Sequence, residues 1–286
     1  MNANITIFTN GYEGTWQSIE LGTWLAKTFN RQITLVGVVE NDDANHPVED
    51  IFSRAVGLFQ ETKVDYQLEL ENGDVEEVIK NRQELMKTPK IASEPDYLVL
   101  VGTFGRNPVK KMIAGKSFRY IMESVGQPIL YVPAFELPIK KILLCVGGLG
   151  YAVKAEPMIL ELAKITGASI TLFTVVPPIE FDYPEARIVK ENWNRLAETD
   201  TIIGRTLRIG VDLAKNANVP VAVNTRHGNV TDEINAEIAA GDYDLIVMGS
   251  QFSSHTLRKL YIPNVTADIA ESCTKPILTV RCPADS

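Results

Sequence analysis

Three glycines at a fixed spacing, Gly102, Gly105 and Gly115 in the pattern G-x2-G-x9-G, sit among Arg106, Lys110, Lys111 and Lys116, with Ser117 where a helix should begin. Residues of these types suit one kind of chemistry, the cradling of an anion. Glycine lets the chain take φ > 0 and bring its N–H groups to a ligand with no Cβ in the way. The basic side chains add positive charge, and the unsatisfied amides of a helix start point at the same place. A P-loop is the competing reading, because Gly115-Lys116-Ser117 looks like the end of G-x-x-x-x-G-K-[ST]. It fails because its first glycine would fall at Lys110, and the segment before it reads as helix instead of strand.

The element that positions this loop is the run Tyr97 to Val101, short, apolar and β-branched, as suits a central parallel strand covered on both faces. The rest of the chain is explained by an internal repeat. Ile5 to Val39 aligns without a gap on Ile142 to Val176 at an offset of 137, placing Leu25-Ala26-Lys27 on Leu162-Ala163-Lys164 and Val38-Val39 on Val175-Val176. Tyr97 to Gly102 matches Asp244 to Gly249, and Pro128-Ile129-Leu130 matches Pro276-Ile277-Leu278. A period this long means duplicated domains, since solenoid repeats are shorter. The domains are expected at 1–136 and 137–286, divided near Pro133 to Pro138.

Within each half, strands alternate with helical stretches, which implies right-handed crossovers and a parallel sheet with helices on both faces. Strands are expected near 4–9, 33–39, 64–70, 97–101 and 129–132, and again near 141–146, 169–176, 219–225, 244–248 and 277–281. Ligands of such sheets bind at the carboxyl ends of the strands, where the strand order reverses. That gathers Asn10-Gly11, Val38, Val101 and the Gly102 loop around one crevice. In the second half a helix from Tyr183 to Asn216 is expected, bending at Gly204. It reads as an extended cover for its own sheet or as an arm for a partner.

Composition bounds the function. The 286 residues (31.7 kDa) suffice for two ordinary domains, and 45% hydrophobic residues is normal for packed cores. A net charge of −8 argues against nucleic-acid binding, which depends on neutralising phosphates. No apolar run approaches the roughly 18 residues of a spanning helix, and MNANITIF has no signal-peptide core, so a cytoplasmic protein without membrane contact is expected. Cys145, Cys273 and Cys282 lack metal-type spacing and read as buried free thiols. His46, His227 and His255 suit neither a metal site nor a triad; His227 follows the third strand and either faces the second crevice or solvent. No general base is identifiable, so no catalytic or metal-binding residue is assigned.

Taken together, the opening strand ending in Asn10-Gly11, the LAK helix followed by ITLVGVV, the Gly73-Asp74 step, the glycine loop and the closing Pro-Ile-Leu strand resemble the universal stress protein family, specifically its tandem members. The resemblance covers residues 4 to 133 and 141 to 282. It implies two Rossmann-like α/β domains of the adenine nucleotide alpha hydrolase-like kind, each with a five-stranded parallel sheet, together with ATP binding in many members and roles in stress survival. It also implies pairing through the last strand, here an intramolecular pseudo-dimer of Gln127 to Pro133 with Lys275 to Arg281, with a homodimer of whole chains also compatible. Carried over, the nucleotide site comprises Asn10, Gly11, Val38, Val101, Gly102, Gly105, Arg106, Gly115, Lys116 and Ser117, with ATP as ligand and Mg²⁺ accompanying it.

Two residues of the first domain depart from the pattern: Asn10 stands for the usual strand-end acid and Lys116 for the usual serine or threonine. Asparagine can still hydrogen-bond a base or ribose, and lysine can pair with phosphate or point into water. The second domain departs further, with Gly147 for the acid, Phe252 for the second glycine and one extra residue before Thr266, and it reads as degenerate. Gly147-Gly148-Leu149-Gly150 hints at a dinucleotide fingerprint, but Val175-Val176-Pro177-Pro178 offers no acid for a ribose. The expected function is a stress-response regulatory protein binding ATP in its first domain, with slow turnover left open. The alternative is an interaction module of the same fold that binds no nucleotide.

Overall fold

A computed structural model of the chain describes residues 4–40, 47–86, 97–105, 117–125, 127–147, 155–178, 184–251 and 265–282. The chain divides into two units, Met1–Phe135 and Glu136–Ser286. The first holds strands β1 (Asn4–Thr9), β2 (Ile33–Val39), β3 (Tyr66–Asn72), β4 (Tyr97–Val101) and β5 (Ile129–Tyr131), in the spatial order β3-β2-β1-β4-β5, all parallel. The second repeats the plan with β6 (Lys141–Cys145), β7 (Ser169–Val176), β8 (Val221–His227), β9 (Leu245–Gln251) and β10 (Ile277–Cys282), in the order β8-β7-β6-β9-β10. Each half is thus the five-stranded parallel α/β sheet expected. β1 and β4 are near-continuous apolar runs with Ile5, Ile7, Phe8, Val99, Leu100 and Val101 fully buried, as central strands covered on both faces must be. At β3 and β8 the burial is broken, as at a sheet edge.

Helices α1 (Trp16–Phe29), α2 (Val48–Thr62), α3 (Val75–Met86) and α4 (Ser117–Ser124) cover the first sheet. The second has α5 (Glu156–Thr166), α6 (Pro184–Glu191), α7 (Ile202–Asn216), α8 (Val230–Gly241) and α9 (Val265–Ser272). The halves repeat down to single hydrogen bonds. Gly73 N donates to Val39 O at 3.1 Å, and Gly228 N donates to Val176 O at 3.1 Å, each tying the third strand's exit to the end of the second. Gly73 and Gly228 both take positive φ (136° and 156°), which lets the chain turn there into the next helix. Asp74 and Asn229 then cap those helices, accepting from Glu76 N at 3.2 Å and Thr231 N at 3.0 Å.

One expected element is different. The helix expected from residue 183 to 216 is broken into α6, a short 3₁₀ turn over Trp193–Glu198 and α7, and the break lies ahead of Gly204, not at it. The cause is a run of polar side chains that bond to nearby backbone in place of the helical ladder. Asn192 Nδ2 donates to Ile188 O (2.9 Å), Thr199 Oγ1 donates to Leu196 O (2.7 Å), and Thr201 Oγ1 accepts from Gly204 N (3.1 Å) as the N-cap of α7. Gly204 sits in the first turn of α7, where an ideal Cβ would come within 2.5 Å of the Leu196 and Thr199 carbonyl oxygens, so its role is close packing against the 3₁₀ turn. β8 also runs two residues past the expected strand end and carries Arg226 and His227 within it; His227 is exposed, beside the Trp193 ring.

Candidate functional site

In the first unit, β1 has β2 on one side and β4 on the other, so the strand order reverses at its carboxyl end. Of the expected site residues, Asn10, Gly11, Val38, Val101, Gly102 and Gly105 are described, and the sheet register brings them to this end. Arg106, Gly115 and Lys116 lie outside the described residues, as do Lys110 and Lys111, and Ser117 opens α4. Thr9 and Thr15 lock the turn after β1, their hydroxyls 2.6 Å apart, with Thr15 Oγ1 also donating to Tyr12 O at 2.7 Å. Gly11 takes a φ of 82° in that turn, and its N–H donates to Thr9 Oγ1 at 3.2 Å.

Neither Gly102 nor Gly105 has the positive φ expected of the loop glycines. Their lack of a side chain is used for close approach instead. A Cβ on Gly102 would lie 2.7 Å from Gly14 O and from Thr15 Cα, and one on Gly105 would lie 2.1 Å from the Tyr12 ring. The loop after β4 is thereby packed onto the turn after β1, an arrangement that Thr103 N donating to Gly14 O (3.3 Å) continues.

Asn10, only 4% exposed, spans the crevice. Its Nδ2 donates to Glu40 Oε2 at 2.9 Å, while its Oδ1 accepts from Tyr12 N at 3.3 Å. Glu40 in turn accepts from Val75 N at 3.1 Å, at the start of α3. Glu40 is not among the site residues expected from the sequence, although its place directly after Val38-Val39, at the end of the second strand, is a signal for it. Glu40, Asp74 and Glu76 bring carboxylate oxygens within 4.8 Å of one another, a set that could hold a hard divalent cation. A groove of about 550 Å³ runs past Gly11, Glu13, Asp50 and Arg54. Arg54 lies over the Trp16 ring (4.1 Å) and pairs with Glu13 at 2.5 Å, which holds the Glu13 carboxyl below its usual range.

The equivalent end of the second sheet is apolar. At the offset of 137, Asn10 and Glu40 correspond to Gly147 and Pro177, and the positions of Asp74 and Glu76 after the third strand are taken by Asn229 and Thr231. A cavity of about 510 Å³ opens there, between Val146 and Gly147 after β6, Val176 at the end of β7, Met248 in β9 and Ile234 in α8. Cys145 reaches this cavity, and burial pushes its thiol up to about 12, with a smaller contribution from Glu237. Cys145 and Cys273 are free thiols. The dinucleotide-like residues Gly148 to Gly150, and Phe252, lie outside the described residues.

The model of the universal stress protein family matches residues 138–281. No curated protein matches the sequence. Among solved structures, a universal stress protein from Archaeoglobus fulgidus is 14% identical with a TM-score of 0.70, and the match covers 98% of this chain and 99% of that one. A functionally unknown protein from Pseudomonas aeruginosa is 12% identical with a TM-score of 0.66, covering 97% and 92% of the two chains. At these identities the likeness is one of fold, and it extends over both halves. Among the described residues, no helix is long and apolar enough to cross a membrane.

Proposed function

The chain belongs to the universal stress protein family, and from that premise we propose that it is a cytosolic stress-response regulator that binds an adenine nucleotide in its first domain, the second being degenerate as a nucleotide site. The observation that carries this reading is the pair Asn10 and Glu40 at the adjoining carboxyl ends of β1 and β2. A carboxylate at the end of a second strand is the group that receives ribose hydroxyls in dinucleotide folds, and Glu40 stands at that place, bonded to Asn10 and to Val75 N. Glu40 thus supplies, from the neighbouring strand, the negative charge that Asn10 lacks. Phosphates would lie toward the Gly102 to Ser117 segment with its Arg106 and Lys116, and Mg²⁺ would arrive with the ATP. No general base is assigned, and the reading is one of binding.

The second reading, an interaction module without nucleotide, is favoured by the Tyr12 ring beneath Gly105, which explains that glycine without any ligand. Calorimetric titration of the whole protein with ATP and with adenosine separates the two. ATP should bind one site per chain, and Lys116→Ala should weaken ATP about tenfold to a hundredfold by removing a charge-assisted bond, leaving adenosine unchanged. A parent protein that neither carries nor takes up ATP would establish the interaction module instead.

A further inference from the structure

The second domain's cavity has a chemistry of its own, independent of the nucleotide reading. It lies at the carboxyl end of the sheet, where ligands of this architecture bind, and its volume of about 510 Å³ falls within the range of small-molecule sites. Among the described residues, its lining contains no lysine, arginine or histidine. Its two ionisable members are Glu185 and Cys145. The Glu185 carboxylate accepts from Ile202 N at 2.8 Å, and the Cys145 thiol stays protonated at neutral pH. None of the described lining residues offers a cation to an anionic phosphate or carboxylate, whose lost hydration would go uncompensated against this wall. An apolar cavity, by contrast, holds water poorly and gains when an apolar molecule fills it.

The cover over the cavity is constructed, not incidental. Ala186 of α6 and Ile203 of α7 are nearly fully buried above it, and the Glu185 to Ile202 bond joins the two helices. Arg208 fastens the intervening turn from below, its Nη1 donating to Ala197 O at 2.7 Å and Thr199 O at 2.6 Å. The break in the long helix thus places a short, tied helix over the end of the sheet. Thr174 and Thr266 supply hydroxyls in a described lining that is apolar apart from them, Glu185 and Cys145.

We propose that this crevice of the second domain is a binding site for an uncharged apolar small molecule, such as a medium-chain alcohol or a hydrocarbon with at most one or two hydrogen-bonding groups. The site is tested with the full-length protein and the neutral dye Nile red, whose fluorescence rises on leaving water. Gly147 is the best place to block it, because a Cβ there would meet no atom of the described residues within 4 Å and its φ is not positive, so Gly147→Trp can turn its ring toward the cavity. Dye affinity should fall at least tenfold in Gly147→Trp with the unfolding temperature undiminished. Val189→Lys, which brings a cation to the half-exposed wall of α6, should produce a similar loss and covers the case in which the tryptophan variant fails to fold. Decanol should displace the dye from the parent, and decanoate should not. Absence of dye uptake, unchanged affinity in the folded variants, or displacement by decanoate as readily as by decanol would each overturn the proposal.

Discussion

The two crevices of this chain share a backbone and differ in chemistry. The first presents Asn10, Glu40, Asp74 and Glu76, and the second presents Gly147, Pro177, Asn229 and Thr231 on the same frame. Capping bonds, positive-φ glycines and strand order are repeated, because they determine whether the chain folds. Asn10 and Glu40 give way to Gly147 and Pro177, and Asp74 and Glu76 to the uncharged Asn229 and Thr231 with the cap at Asn229 kept, so the crevice loses these three acids on the same strand order. The fold therefore does not specify the ligand; a handful of strand-end residues does.

Between the third strand and the helix that follows it, the charges of the two halves are inverted. In the first unit Arg82 of α3 pairs with Glu69 and, at 2.9 Å, with Glu71, both on β3. In the second, Glu237 of α8 stands in Arg82's place and accepts from Asn224 (2.9 Å), Arg226 (2.8 Å) and Tyr243 (2.8 Å), with Asn224 and Arg226 occupying the positions of Glu69 and Glu71. Glu237 is only 6% exposed. The largest expected effect follows from this. Glu237→Arg should set two cations against each other and orphan Asn224 and Tyr243, costing about 3–5 kcal/mol of stability. Adding Asn224→Glu and Arg226→Glu, which copies the first unit, should restore at least half of that. Urea unfolding of the parent, single and triple variants measures both steps, and a triple variant no more stable than the single would show that the two networks are not interchangeable.

A smaller effect is expected at Glu40, where the proposed nucleotide would sit. Glu40→Gln keeps the shape and an acceptor for the Asn10 amide but removes the charge, so ribose bonds should weaken by about 1 kcal/mol, or fivefold to tenfold in affinity. Unlike Lys116→Ala, it should weaken adenosine and ATP alike. Calorimetry with adenosine decides it, and an unchanged affinity would mean that the Asn10 to Glu40 pair braces the turn without touching ligand.

Much of this was legible in the residues because it depends on local pattern. Most of the strands follow from short apolar, β-branched runs, and the ungapped match of Ile5–Val39 to Ile142–Val176 gives the duplication directly. Three features needed coordinates. Glu40 matters because it lies beside Asn10 across two strands, 30 residues apart in sequence. The helix break at 192–201 depends on side chains choosing backbone partners over the ladder, which helical periodicity does not reveal. Gly102 and Gly105 owe their identity to the Gly14 and Thr15 backbone and the Tyr12 ring, distant neighbours that no glycine count discloses.

The smallest expected effect concerns a buried acid that has no counterpart in the first half. Glu156, in the first turn of α5, occupies the position of Ile19 in α1; Ile19 is 0% exposed and Glu156 only 5%. It lies under α7, where an ideal Cβ on Gly210 would be 3.6 Å from its Oε1. Burial raises its pKa, so its folded value lies above its unfolded one. The stability it contributes is full below the unfolded value and is lost as pH rises through the folded one, leaving the ionised carboxylate as a penalty near neutrality. Glu237 has the opposite sign. Burial pulls it up, but bonds from Asn224, Arg226 and Tyr243 outweigh burial and hold it low, so its contribution is present at neutral pH and is lost only as pH falls through that lowered value. Glu156→Ile, which copies the first half, should therefore gain about 1 kcal/mol near pH 7, and the gain should shrink toward pH 4 as the parent's carboxyl protonates. Urea midpoints for parent and variant across that range measure the difference. A gain that is constant with pH would assign the effect to packing alone, and a loss at neutral pH would mean that the carboxylate of Glu156 has a partner that stabilises its charge.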